Sequence, residues 1–189
     1  MAVRITWIGH ASVKISGSAA TVYIDPWKVR VKDHADIILL THDHYDHYSE
    51  PDIKALMTPS TRVVAPMSTP LVTDRIAAGK SISIRDVTVR AVPAYNMGKA
   101  FHPKANGWVG YVIIMDGTTV YHPGDTDRIP EMKGLSVDVA LIPVGGTYTM
   151  DAREASEVLT DIKAAHAIPI HYGDIVGSRR DAETFAGMC

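Results

Sequence analysis

The sequence predicts a mixed α/β (α+β) fold in which short, buried strands alternate with covering helices. Three features carry that expectation. Apolar runs such as Ile37-Ile38-Leu39-Leu40 and Val137-Asp138-Val139-Ala140-Leu141-Ile142 have the length and β-branched content of buried strands. Between such runs lie stretches with helix caps and apolar residues at helical spacing. Several runs end in loops rich in His, Asp and Gly, and helix-covered sheets gather their sites from strand ends. At 189 residues the chain is most simply one domain over 1–189, long enough to bury a substantial core.

From the start, residues 4–8, 13–15 and 22–24 read as three short strands joined at Gly9-His10-Ala11 and around 16–20. In an antiparallel meander every second connection returns to one edge, which puts the His10 turn and Asp25 at the same end. His10 is then either a turn residue with a local hydrogen bond or a neighbour of whatever site forms there. Residues 37–40 are the next strand. Ser49 followed by Pro51 marks a helix start that runs through Ile53, Leu56 and Met57. A strand is expected at 62–65, then a second helix at 68–78, with Pro70 in its first turn and Gly79 as its stop.

Strands follow at 82–84 and 87–92. The loop 93–107 is long and carries Asn96, Lys99, His102 and Lys104, which reads as a working loop more than a connector. Strands at 110–115, 118–121, 137–142 and 167–170 come next, and the last three lead into H-P-G-D-T-D (122–127), P-V-G-G-T (143–147) and H-Y-G-D (171–174). The clearest helix begins at Asp151, with Glu154 completing a capping box and Ala155, Val158, Leu159 and Ile162 on one face. A shorter helix begins near Asp181. Residues 35–40 and 137–142 echo each other weakly.

Hydrophobic residues make up 46% and charged residues 21%, the balance of a soluble globular protein, and a net charge of -2 does not favour sequence-independent nucleic-acid binding. Apolar runs fall far short of the roughly 20 residues of a spanning helix. No charged start with an apolar signal core appears, so a cytoplasmic location is the default expectation. The single cysteine, Cys189, excludes an internal disulfide and a thiolate metal cage.

The chemistry is concentrated in T-H-D-H-Y-D-H, residues 41–47. His42, His44, Asp46 and His47 are four possible metal ligands in six residues, on a loop that follows a buried strand. Imidazole and carboxylate are the ligands that zinc and its neighbours accept, and an irregular loop can turn His42 and His44 toward one ion and Asp46 with His47 toward another. Two close ions would share a water and lower its pKa toward about 7.

H-x-H-x-D-H after a buried strand resembles the signature of the metallo-β-lactamase superfamily of metal-dependent hydrolases. Asp25, Asp125 in G-D-T-D and His171 in P-I-H-Y-G match, in order and in strand context, that family's early aspartate, bridging aspartate and late histidine. With Trp7-Ile8-Gly9-His10-Ala11, the chain looks like the branch that includes ascorbate-6-phosphate lactonase. The resemblance runs from about Arg4 to Gly173, and members of the family often continue beyond the point matching Phe185. It implies a four-layer αββα sandwich with two mixed β-sheets and a site for one or two Zn2+ ions, with Mn2+ as a substitute. His42, His44 and a third group would hold one ion, Asp46, His47 and His171 the other, and Asp125 would bridge them. Asn96 in P-A-Y-N departs from the pattern, standing where the third histidine belongs, and an amide is a poor zinc ligand. His102 is the favoured replacement; Asn96 itself or an open position are the alternatives.

The implied activity is hydrolysis by a metal-bound hydroxide attacking a carbonyl carbon or phosphorus. Asp46 would position the hydroxide or carry its proton, and Asp25 would orient a ligand histidine from behind. The implied partner is a small ester, lactone or phosphodiester, anionic if Lys99, Lys104, Arg179 and Arg180 border the site; scattered surface charges explain those residues equally well. One alternative is a non-catalytic metal-, nucleic-acid- or partner-binding module, with Asn96 marking a decaying site, although such a module has no need of Asp125. A di-iron oxygen- or nitric-oxide-reducing protein of the same family resembles H-x-E-x-D-H, and here His44 replaces the glutamate. Neither a G-x-x-x-x-G-K-[ST] loop nor a G-x-S-x-G elbow is present. His34, His122 and His166 read as structural, and Tyr148 and Arg128 as solvated loop residues.

Overall fold

The computed structural model describes residues 3–30 and 33–189 and contains two six-stranded mixed sheets. In the first, β1 (Arg4–Gly9), β2 (Ser12–Ser16) and β3 (Thr21–Ile24) form an antiparallel meander, and β4 (Ile37–Leu39), β5 (Arg62–Ala65) and β6 (Asp74–Arg75) add in parallel. In the second, β7 (Ser81–Ile84), β8 (Val87–Pro93), β9 (Val109–Met115) and β10 (Thr118–His122) are antiparallel, and β11 (Ser136–Pro143) and β12 (Lys163–Ile170) add in parallel. Each sheet thus runs from a meander into parallel strands. The weak echo of 35–40 in 137–142 has its place here, since β4 and β11 are the first parallel strand of their sheets.

Alternation along these strands decides what lies between and outside the sheets. Ile37 and Leu39 of β4 join Val139 and Leu141 of β11 in the core between the sheets. Their neighbours Ile38 and Leu40 face outward with Ile53 and Leu56 of helix α1 (Glu50–Leu56). Ala140 and Ile142 do the same on the far side, with Ala155 and Val158 of α2 (Ala152–Val158) and Phe185 of α3 (Arg179–Met188). Strands buried on both faces and helices on both outer sides give the four-layer αββα sandwich expected. Among the described residues no helix is long and apolar enough to cross a membrane.

One expected element is absent. Residues 68–78 form turns and the two-residue strand β6, not a helix. Apart from a turn in which Val72 N–H donates to the Thr69 carbonyl, backbone donors of this stretch find partners on β5: Thr73 N–H and Ile76 N–H donate to the Val63 and Ala65 carbonyls. The β-branched Thr73 also accepts from Val63 N–H through its hydroxyl, and Arg62 forks onto the Asp74 carboxylate. Tertiary pairing overrides a Pro-started, Gly-stopped pattern whose interior carries two adjacent β-branched residues, Val72 and Thr73. At α2 the capping box between Asp151 and Glu154 forms as expected, but the helix ends at Val158, and Ile162 is buried just before β12 begins.

The sheets are tied together near the functional loops. Tyr111 on β9 donates its hydroxyl hydrogen to the Leu40 carbonyl at 2.7 Å. Gly110 beside it lies against the Pro123 backbone, where a Cβ would collide. Gly110→Ala is therefore expected to destabilise the protein by about 1–3 kcal/mol in urea unfolding. Gly98→Ala, where a Cβ meets open space, should stay within about 0.5 kcal/mol of the parent.

Candidate metal centre

Six loops converge at one edge of the sandwich. The β1–β2 turn brings His10, the end of β3 Asp25, the end of β4 residues 41–47, the β8–β9 loop His102, the loop after β10 Asp125, and the end of β12 His171. His10, Asp25 and His171 all adopt positive φ, at 51°, 46° and 59°. Left-handed backbone is uncommon in non-glycine residues, although His and Asp tolerate it better than most, and such conformations gather where surroundings over-determine them. The surroundings do so here: His171 N–H donates to His10 O at 2.8 Å, and Asp25 N–H to Leu39 O at 2.9 Å. Gly145 leaves no room for a Cβ against the His171 carbonyl.

Asp25 is fully buried and organises the first loop. It accepts from Thr41 N–H (2.8 Å) and the Thr41 hydroxyl (2.6 Å), and from His47 Nδ1–H at 2.8 Å. The Thr41 hydroxyl, donating to Asp25, accepts from His42 Nδ1–H at 2.9 Å. Both histidines are thereby held with Nε2 free to donate a lone pair. His102 is treated alike by a different residue. Asn96 Oδ1 accepts from both the backbone N–H and Nδ1–H of His102, each at 3.0 Å, while Asn96 Nδ2–H donates to Asp127 Oδ1 and Tyr148 O. Of the three alternatives for this position, the geometry brings His102 Nε2 into the cluster and makes Asn96 its support.

The remaining lone pairs face one another. Ligand atoms of His42, His44 and His102 lie within 4.8 Å of each other, as do those of His10, Asp46, His47 and His171, and those of His42, His47 and Asp125. Asp125 stands between the groups, with Oδ1 at 3.2 Å from His47 Nε2 and Oδ2 at 3.3 Å from His102 Nε2 and 3.0 Å from His171 Nε2. His42 Nε2 and His44 Nδ1 are 3.1 Å apart. Two donors each about 2.0–2.1 Å from one tetrahedral ion would be roughly 3.3 Å apart, so these separations fit a shared cation. His47 Nε2, His102 Nε2, His171 Nε2 and Asp125 Oδ1 are buried without a hydrogen-bond partner, a costly arrangement that a cation would resolve.

Electrostatics agree. Burial opposes ionisation of Asp125, but His171 and His47 outweigh it and hold the carboxyl well below its usual range. Asp46 is likewise held low: burial pushes it up, and hydrogen bonds from His10 and His47 more than reverse that. Burial would neutralise His47, yet Asp125 and Asp25 raise it well above the ordinary histidine value. His42 and His44 are lowered, chiefly by burial, and so stay neutral. The buried carboxylates thus favour a positive charge at this cluster.

Several neighbours carry little or no signal in the sequence. His10, left open there, donates through Nε2 to Asp46 Oδ2 at 3.0 Å and lies against the His171 ring at 4.0 Å between centroids. Trp108 packs against His42, His44 and His102 with centroids 4.9–5.5 Å away. Asp127, the second aspartate of G-D-T-D, anchors Asn96, Met97 N–H and Lys99; its one clue is its place beside Asp125. His122 is satisfied by the backbone at both nitrogens, as a structural histidine should be.

A cavity of about 340 Å³ opens onto the cluster, lined by His44, Tyr45, Asp46, Phe101, His102, Asp125, Tyr148 and Ile175. Tyr148 thus borders the site instead of being a bystander, while Arg128 pairs with Asp161. Three of the basic residues expected at an anion site are engaged elsewhere. Lys99 binds Asp127 and the Thr149 carbonyl, Lys104 binds Glu131, and Arg179 binds Glu183 on α3, the helix that also carries Arg180.

Comparison with known proteins agrees with this geometry. The family described as a beta-lactamase superfamily domain matches residues 4–171. A metal-dependent hydrolase of the UPF0173 group from Methanosphaerula palustris is 35% identical over 97% of this chain and 89% of its own length. A crystal structure from Parabacteroides distasonis, assigned as a metal-dependent hydrolase, superposes with a TM-score of 0.87 at 30% identity, covering 98% of this chain and 87% of that one. Another from Thermotoga maritima, assigned as a Zn-dependent hydrolase of the metallo-beta-lactamase superfamily, gives 0.71 at 26% identity, covering 100% and 86%.

Two outcomes are expected. An ion bound at His47 Nε2 must displace its raised proton, so uptake should release protons near neutral pH and apparent affinity should tighten as pH rises; calorimetry in buffers of different ionisation heat measures this. Asn96→Ala, which frees the His102 ring, should weaken metal affinity about 10–100-fold in competition with a chelator of known strength.

Proposed function

We infer, for a chain that belongs to the metallo-β-lactamase superfamily of metal-dependent hydrolases, that residues 1–189 form one hydrolase domain with a dinuclear, zinc-type centre cleaving an ester, lactone or phosphodiester. The observation that carries this reading is the set of unpartnered buried nitrogens on His47, His102 and His171 around the Asp125 carboxylate. His42, His44 and His102 would hold one ion, Asp46, His47 and His171 the other, and Asp125 would bridge; zinc suits this nitrogen-rich set, with manganese as a substitute. Bound there, the ions supply Lewis acidity to the substrate oxygen and lower the pKa of water toward about 7.

The chain's own residues do the rest. Asp25 and Asn96 keep His47 and His102 in the tautomer that leaves Nε2 available. Asp46 lines the cavity floor and is fixed by His10 through one oxygen. A carboxylate held well below its usual range is a weak base, which suits Asp46 to orienting the attacking water more than to storing its proton. Trp108, packed tilted or edge-on against three of the histidines, and the buried Thr41 shield the centre from bulk solvent on the sheet side.

The test is turnover by metal-reconstituted protein on a panel of aryl esters, alkyl lactones and phosphodiesters. At least one class should be hydrolysed, and Asp46→Asn should lower kcat by about a hundredfold or more. A fully metal-loaded protein that turns over none of the three would overturn the assignment.

A further inference from the structure

The mouth of the site differs from the anion-binding rim that the scattered basic residues led one to expect. Among the described residues, the large hydrophobic side chains exposed to solvent are Trp7, Tyr45, Met97, Phe101, Ile114, Ile175 and Met188. Three of them, Tyr45 (66% exposed), Phe101 (46%) and Ile175 (41%), line the cavity that opens on His44, Asp46, His102 and Asp125. Single exposed apolar residues are ordinary, but three from separate loops converging on a polar floor are not. Tyr148 completes the wall, with its ring edge-on to Phe101 at 4.7 Å. Among the described residues no lysine or arginine lines this cavity, and its ionised lining groups are the carboxylates of Asp46 and Asp125. Nearby cations are neutralised: Lys99 by Asp127, and Lys28 by Asp174, the neighbour of Ile175.

A small, aromatic-walled cavity over a few convergent polar groups recognises apolar substituents, and it offers an anionic tail no counter-charge beyond the metal centre itself. Resting on the hydrolase reading above, we propose that the substrate is an uncharged carboxylic ester or lactone whose apolar or aromatic group packs against Tyr45, Phe101, Tyr148 and Ile175. In the reaction the oxygen of water bonds to the carbonyl carbon and the acyl–oxygen bond breaks; an ester gives a carboxylate, an alcohol or phenol and one proton, and a lactone gives one hydroxycarboxylate and one proton. The volume of about 340 Å³ lies at the lower end of small-molecule sites, so the apolar group is short.

Two matched pairs test this with the metal-loaded protein. The first is turnover of 4-nitrophenyl butyrate against its hemisuccinate, which differ by a terminal carboxylate. The second is binding, by calorimetry, of the uncleaved amides N-phenylbutanamide and N-phenylsuccinamic acid. The neutral member of each pair should be preferred by about tenfold or more, and Phe101→Lys should erase most of that preference. Equal or better binding of the acid, or no binding of either amide, overturns the proposal. Preferential binding of the neutral amide without turnover of any ester, lactone or phosphodiester would support the apolar wall and refute the hydrolase assignment, so the two readings fail separately.

Discussion

The buried negative charge of Asp125 is the constraint on which this site depends. A carboxylate taken out of water must be compensated nearby, and here the compensation is three imidazole nitrogens delivered from β12, from the β8–β9 loop and from the loop after β4. None of those nitrogens has a hydrogen-bond partner of its own. Burying lone pairs and a carboxylate together is costly without a nearby positive charge, and Asp125 and Asp25, which raise the His47 proton affinity well above the ordinary histidine value, express the same demand. The metal centre proposed above would meet that demand with a positive charge placed among these groups.

The fold makes such a cluster affordable by holding it from behind. Asp25 and Asn96 are not aimed at the cluster's centre; each fixes one histidine through Nδ1 and is itself fixed by backbone or by a further side chain. The two sheets supply rigidity, since β4 and β11 are packed on both faces. Left-handed residues at three strand ends turn the chain sharply enough for side chains from distant strands to meet.

Much of this was legible in the sequence because it lies in local pattern. Residues 41–47 carry their ligands within one loop, and Asp125 and His171 follow strands whose apolar runs are plain. The capping box at Asp151 needs only residues 151–154 to be read. What stayed hidden depends on partners far along the chain. Nothing local shows that residues 73–76 will pair with β5 instead of closing a helix. Asn96 resembles a lost ligand until His102, six residues on, is seen folded back onto its amide oxygen. Lys99 and Lys104 look available to an anion until Asp127 and Glu131 are placed beside them. Charge in a sequence shows which groups exist, and only the fold shows which are already paired.

The measurement that bears most directly on this account is the metal content of the protein after reconstitution with zinc and removal of loosely bound ions, read by elemental analysis. The account predicts close to two ions per chain in the parent and a clear loss in Asp125→Ala, the variant without the bridging carboxylate. A parent chain that retains no metal would contradict it.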